Sequence, residues 1–316
     1  MGVMINGTYQ SNDPGPDSGA AGEFKRAAST IRNWITADGM TGFAPDTGRY
    51  HLFAAWNCPW AHRVLATRAV LGLRDAISVS YALPRRTPEG WVFDASGDYA
   101  DPLMSARALH EIYAAHPEPY TGRVTVPVLW DKTLGQIVSN ESADIMRMLG
   151  RAFDPDARLC PDHLIKEIDA WNALTYPTLN NGVYRAGFAR SQEAYDRAVA
   201  EVFETLDKLD AHLSHHKTLV GDSVTEADLR VFPTLVRFDV AYHYAFKCNI
   251  RRLMDYPNLW DYARALWALP GLAETVKPEI YKTGYFSQSD LRNPLGIVPA
   301  GPQIDWAKPA KRTLSV

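Results

Sequence analysis

The residues with the clearest chemical potential are Cys58-Pro59-Trp60-Ala61, at the junction of two differently patterned segments. Tyr50 to Trp56 is a short aromatic and aliphatic run that reads as a strand. Trp60 to Leu73 repeats apolar residues at 60, 61, 64, 65, 70 and 71, which is helical spacing. A sulfur at that turn faces the free N–H groups and positive end of the helix, which favour thiolate over thiol. Pro59 at the helix start sacrifices no hydrogen bond. A dithiol site would carry a second cysteine three residues on, and that position is Ala61. Such a thiol can form a mixed disulfide with an external thiol but cannot resolve it internally. The alternative is a buried structural cysteine. The strand end, the helix start, Pro59 and the later Val126-Pro127 argue against it.

Other chemistries lack their residues. There is no G-x-G-x-x-G or Walker loop, His110-Glu111 has Ala114 where a zinc helix needs histidine, and Gly221-Asp222-Ser223-Val224-Thr225 lacks the closing glycine of a nucleophile elbow. Cys58, Cys160 and Cys248 are too widely spaced for a structural zinc site and too few for a disulfide scaffold. Cys160, before Pro161, and Cys248 read as structural. Free thiols imply a reducing compartment, and with no secretory, myristoylation or bilayer-spanning pattern the expectation is a soluble cytoplasmic protein. A formal net charge of −3 gives no reason to expect nucleic acid or an anionic membrane as partner. The pairs Arg85-Arg86 and Arg251-Arg252 read as solvated surface charges that could also steer an anionic ligand.

The elements that must position Cys58 follow in order. Residues 1–49, rich in Gly, Asp, Pro and Ser as in Asn12-Asp13-Pro14-Gly15, read as an extension unable to order itself alone, docked through Phe24, Ile31 and Trp34. After the first strand and helix, Ile77, Val79, Tyr81 and Leu83 alternate with small residues as a half-buried strand. Residues 84–107 are an insertion, 108–115 a short helix, Val124–Trp130 and Gln136–Ser139 strands, and a helix capped by Ser139 or Asn140 runs to Leu149. The order β-α-β, then β-β-α, makes residues 50–150 a mixed sheet with helices on its faces. Pro127 inside a strand suggests a cis peptide that turns the chain. From 162 to 290 the pattern is all-helical, with helices over 162–175, 191–215, 225–246 and 257–269 and a capping box at Thr225–Asp228. Residues 291–316 form an extended tail.

Several motifs in order resemble one family. Asn57-Cys58-Pro59-Trp60-Ala61-His62-Arg63, Gly122–Asp131, Ile137–Ser142, Asn180–Ala189, Arg237-Phe238-Asp239, Phe246-Lys247-Cys248-Asn249 and Ile297–Pro302 are similar to the xi-class glutathione transferases, the glutathionyl-hydroquinone reductases. The resemblance implies a thioredoxin-like domain followed by an all-helical domain, and a homodimer. It implies glutathione as co-substrate, no metal, and Cys58 as nucleophile. It assigns Trp91, Arg123, Val124, Thr125, Val126, Pro127, Glu141 and Ser142 to glutathione. Val126 before a cis proline can offer backbone groups to the cysteinyl part. Ser142 at a helix N-terminus can receive the γ-glutamyl carboxylate, and Glu141 its ammonium. Tyr184, Tyr242 and Tyr285 correspond to tyrosines that donate a proton or lower the cysteine pKa. Gly284-Tyr285-Phe286-Ser287-Gln288 departs from the family's usual His-Tyr-Tyr-x-Ser-His, at Phe286 and Gln288 among others. The activity implied is deglutathionylation of glutathionyl-hydroquinones. Alternatives are an omega-like thiol transferase or dehydroascorbate reductase using the same cysteine, and a non-catalytic protein that binds aromatic ligands.

Overall fold

The computed structural model describes residues 2–11, 18–85, 87–290 and 292–316; residues 12–17 of the Gly/Asp/Pro-rich run and Arg86 lie outside the described residues. The chain divides into two units, one built mainly from Ala27–Pro155 and the other mainly from Asp156–Val316. Residues 2–11 belong to the first and residues 18–26 to the second.

The first unit opens with structure that composition alone does not suggest. Strands β1 (Val3–Ile5) and β2 (Thr8–Gln10) form an antiparallel hairpin. Its turn is Asn6-Gly7, both at positive φ (48° and 77°), the conformation that Asn-Gly hairpin turns adopt. Further on, Ile31, Ile35 and Phe43 are buried.

The main sheet holds β3 (Tyr50–Ala54), followed by helix α1 (Pro59–Val70) and β4 (Ile77–Tyr81), with β3 and β4 parallel. After α2 (Leu109–Ala114), strand β5 (Gly122–Arg123) pairs with β1, and β6 (Val128–Asp131) runs antiparallel to β3. Strand β7 (Gln136–Ser139) returns beside β6, and α3 (Ser142–Ala152) packs on α1. The sheet order is β4-β3-β6-β7, the expected mixed arrangement. The strand expected over 124–130 forms only from Val128, which pairs with β3 as part of β6; residues 124–127 are irregular, and the residues that pair with the N-terminal hairpin, Gly122–Arg123, precede the expected start. Between β5 and β6 lies a cis Val126–Pro127 peptide, whose proline has no N–H for a ladder.

Strand β4 also departs from simple alternation. Ser80 is 1% exposed, whereas Val79 is only half-buried. The cause is a polar chain through the core: His51 bonds Ser78 Oγ at 2.7 Å and Ser80 Oγ at 2.8 Å, and Ser80 donates to Asp101 at 2.9 Å. Asp101 in turn accepts the amides of Leu103, Met104 and Ala106, so this chain ties the insertion to the sheet.

The second unit is helical: α4 (Ile165–Thr175), α5 (Gly182–Gly187), α6 (Gln192–Leu213), α7 (Glu226–Arg237), α8 (His243–Ala245), α9 (Pro257–Trp267) and α10 (Pro278–Tyr285). The apolar stripe of α6 is buried through Val199, Val202, Phe203, Leu206, Leu209 and Leu213. The Thr225/Asp228 capping box starts α7. The helix expected to run on to Phe246 instead widens into a π turn over Phe238–Tyr242. The extended tail is held: Trp306 lies 4.9 Å from Trp260, and Arg312 donates to the carbonyls of Leu213, His216, Lys217 and Asn258.

Candidate active site

Cys58 stands where strand gives way to helix. Its backbone is extended (φ −83°, ψ 117°), it is the N-cap of α1, and Pro59 follows as the first helical residue. Its carbonyl accepts the first α1 bond from His62 at 3.0 Å. Ala61, where a resolving cysteine would be, is wholly buried. Cys58 is 8% exposed, and its thiol donates to the Val126 carbonyl at 3.6 Å. Cys58 and the loop before the cis proline, 68 residues apart in sequence, are thereby brought together.

That loop is braced from behind by residues that sequence reasoning missed. Tyr113 donates to the Thr125 carbonyl at 2.8 Å, Tyr120 to the Arg123 carbonyl at 3.1 Å, and Asn140 Nδ2 to the Tyr113 hydroxyl at 3.2 Å. Burial pushes the Tyr113 phenol up, so it remains a neutral donor. Val124, Val126 and Pro127 are buried, and Arg123 and Thr125 half-buried. Trp91 lies in the insertion, half-buried, with its carbonyl accepting the Leu109 amide at 2.8 Å.

The start of α3 differs from the sequence expectation. Its N-cap is Glu141, not Ser139 or Asn140. Asn140 is drawn to Tyr113 instead, and Ser139 Oγ accepts the Glu141 amide at 3.1 Å. The Glu141 carboxylate accepts from the Ala143 amide at 3.1 Å and from the Ser142 hydroxyl at 3.4 Å. A helix start with a serine hydroxyl favours a bound carboxylate, and an adjacent glutamate favours an ammonium. An amino-acid end group carries both charges.

The three tyrosines gather within the second unit. Tyr285, at the end of α10, is central: its hydroxyl lies 2.5 Å from that of Tyr184 on α5 and 3.2 Å from that of Tyr242 in the π turn. Tyr242 is fully buried, while Tyr184 and Tyr285 are half-buried. Burial holds the phenols of Tyr242 and Tyr285 well above their ordinary pKa of 10, so both are protonated at neutral pH. Phe188 and Phe246 complete the cluster, with Arg292 4.2 Å over the Phe188 ring. Phe24 stacks on Phe188 from the N-terminal segment. Gly187 is required by this packing, since a Cβ there would fall 2.2 Å from the Phe246 ring.

Cys160 and Cys248 form no disulfide and are fully buried, and burial pushes the Cys248 thiol up to about 12. Arg251 pairs with Asp207, and Arg252 with Asp255 at 2.6 Å. Among the described residues no group of His, Cys, Asp and Glu could hold a metal ion, and no helix is long and apolar enough to cross a membrane.

Comparison with known proteins gives the family and the fold. Residues 57–152 match the family model for the glutathione S-transferase N-terminal domain, and residues 192–265 that for the C-terminal domain. The chain is 45% identical to the glutathionyl-hydroquinone reductase YqjG of Escherichia coli strain K12, over 99% of this chain and 98% of that one. It is 46% identical to the glutathionyl-hydroquinone reductase PcpF of Sphingobium chlorophenolicum, over 96% of each. The glutathione-bound structure of YqjG superposes with a TM-score of 0.85, covering 89% of this chain and 95% of that one. A xi-class glutathione transferase from Natrialba magadii, 41% identical, gives 0.91 over 100% and 98%.

Proposed function

The chain belongs to the xi-class glutathione transferases, and from that premise we propose that it is a glutathionyl-hydroquinone reductase with Cys58 as its nucleophile. The Cys58 thiolate attacks the glutathione sulfur of the conjugate. A disulfide bond forms between Cys58 and glutathione, the carbon–sulfur bond breaks, and its electron pair passes to the ring carbon. A tyrosine of the Tyr184–Tyr285–Tyr242 chain gives that carbon its proton, and the hydroquinone leaves. A second glutathione thiolate attacks the mixed disulfide, releasing glutathione disulfide and restoring Cys58.

The observation that carries this reading is the single thiol at the start of α1, with Ala61 in the resolving position. Such a site depends on an external thiol to finish each cycle. Trp91, Arg123 to Pro127, Glu141 and Ser142 hold the tripeptide in this reading: the Val126 backbone its cysteinyl residue, Ser142 and Glu141 its γ-glutamyl end. The active species is a homodimer of a cytoplasmic protein.

The test is turnover of a glutathionyl-hydroquinone with glutathione, measured beside dehydroascorbate and a small mixed disulfide. Conversion of the conjugate to hydroquinone and glutathione disulfide, lost in Cys58→Ser, is expected. Activity confined to the other two substrates would reject the quinone reading in favour of a thiol transferase.

A further inference from the structure

Residues 29–33 of the N-terminal stretch lie along the edge of β7, next to the start of α3. The Asn33 amide donates to the Val138 carbonyl at 2.9 Å, and the Asn140 amide to the Ile31 carbonyl at 3.1 Å. Arg32 bridges to Ser139, and the Ser29 hydroxyl donates to the Asn140 carbonyl at 3.1 Å. This segment is held to β7 and the residues after it by an isolated antiparallel bridge and ends beside the start of α3.

From it Arg32 reaches the first turn of α3 with two N–H groups along one edge of its guanidinium. Nε donates to one Asp144 oxygen at 2.6 Å and Nη2 to the other at 2.7 Å. The Asp144 side chain is only 13% exposed, whereas that of Arg32 is 54% exposed. Two carboxylates, Glu141 and Asp144, therefore stand at one helix start, and the tripeptide brings a third. Glu141 has the ligand's ammonium as its counter-charge. Asp144 has Arg32.

We propose that Arg32 is a positioning residue for glutathione, neutralising Asp144 so that the start of α3 can accept the γ-glutamyl carboxylate. The role rests on the assignment of Glu141 and Ser142 to that end of the tripeptide. Without Arg32, a mostly buried carboxylate would repel the incoming one from within the same turn, where screening by water is incomplete. The Arg32 charge also feels Glu141, after its dominant hydrogen bond to Asp144. As Arg32 is half exposed, its loss should leave the fold intact.

Calorimetric titration of the full chain with glutathione tests this. Arg32→Gln is expected to weaken binding roughly fivefold in dilute buffer, and less as salt shortens the Debye length below about 10 Å. Arg32→Gln combined with Asp144→Asn should return to within about twofold of wild type, because the repelling charge is gone. Arg32→Lys should recover part of the loss. γ-Aminobutyryl-cysteinylglycine, which lacks the carboxylate, should bind Arg32→Gln as it binds wild type. Unchanged glutathione affinity in Arg32→Gln, no rescue in the double variant, or an equal loss with the analogue would overturn the proposal. Ser142→Ala separates the two levels. If it loses affinity while Arg32→Gln does not, only the role of Arg32 fails; if it too binds normally, the assignment of the γ-glutamyl site fails.

Discussion

Replacing Tyr285 by phenylalanine removes the hydroxyl through which the other two tyrosines are joined. Tyr285 Oη is 2.5 Å from Tyr184 Oη and 3.2 Å from Tyr242 Oη, so one oxygen serves two hydrogen bonds. The ring stays, and with it the edge contacts to Tyr242 and Phe246 at 5.3 and 5.5 Å. The fully buried Tyr242 hydroxyl loses a neighbour, which costs about 1–3 kcal/mol of stability. The chemical cost is larger. General-acid help is worth about 10²–10⁴ in rate, or roughly 3–5 kcal/mol of barrier. Both Tyr242 and Tyr285 titrate well above 10, so no change of pH within the neutral range should substitute for the missing donor. The assay is single-turnover mixing of the enzyme with a glutathionyl-hydroquinone, following hydroquinone release. In Tyr285→Phe that step should slow at least 100-fold, within the range for a lost general acid. The reverse half of the cycle is the control: a preformed Cys58–glutathione disulfide should be reduced by glutathione at the wild-type rate, since no carbon is protonated there. Less than a tenfold effect on hydroquinone release, or equal slowing of both halves, would refute a proton-donating role.

Cys58 should alkylate with iodoacetamide at an inflection below the free-thiol value of about 8.5, because it begins α1. Peptide mapping should find Cys248, pushed up to about 12, unlabelled across the same range; an inflection at 8.5 or preferential labelling of Cys248 would contradict this. His51 is pushed down from 6.5 to about 4 by burial, so below pH 6.5 the unfolded chain binds a proton that the folded chain refuses. Stability should therefore fall by about 3 kcal/mol as pH drops from 7 through 4 in urea titrations, and His51→Gln should flatten that slope; an unchanged slope would exclude His51 as its source.

The main sheet was legible because its signals are local. The aromatic run at 50–56, the 3.6 period after Trp60 and the turn chemistry around Pro127 each specify one element and agree with one topology. Composition concealed the N-terminal hairpin. Asn6-Gly7 between Val-Met-Ile and Thr-Tyr-Gln is a strong hairpin signal, but the Gly, Asp and Pro that follow it weigh against order when the segment is taken whole. Strand β4 forms as expected, but its alternation departs from the simple pattern for a different reason. A serine reads as an outward residue unless a partner across the sheet is known, and His51 supplies that partner. Asn140 was a plausible cap by residue type, yet Tyr113 competes for its amide, which leaves the cap to Glu141. Such choices are made by tertiary contacts that sequence spacing does not encode. The motifs identify the tyrosines but not their order, which places Tyr285 in the middle and is set by the packing of α5, the π turn and α10.

That order bears on two of the departures from the family pattern, Phe286 and Gln288. Phe286 follows the central tyrosine, and Gln288 stands two residues further on. Neither side chain is available to replace a proton donor. Phe286 is 3% exposed and packs 5.5 Å from the Tyr244 ring. Gln288 donates to the Pro294 carbonyl at 2.9 Å, and Asn293 returns a hydrogen bond to the Phe286 carbonyl, so this stretch anchors the beginning of the tail. Tyr285, the proton donor in the proposed reading, keeps both hydroxyl partners. The departures thus act on how firmly the end of α10 is held, through packing and the tail, rather than on the chemistry of the proton. Their effect should appear as altered mobility or stability around Tyr285, with the identity of the acid unchanged.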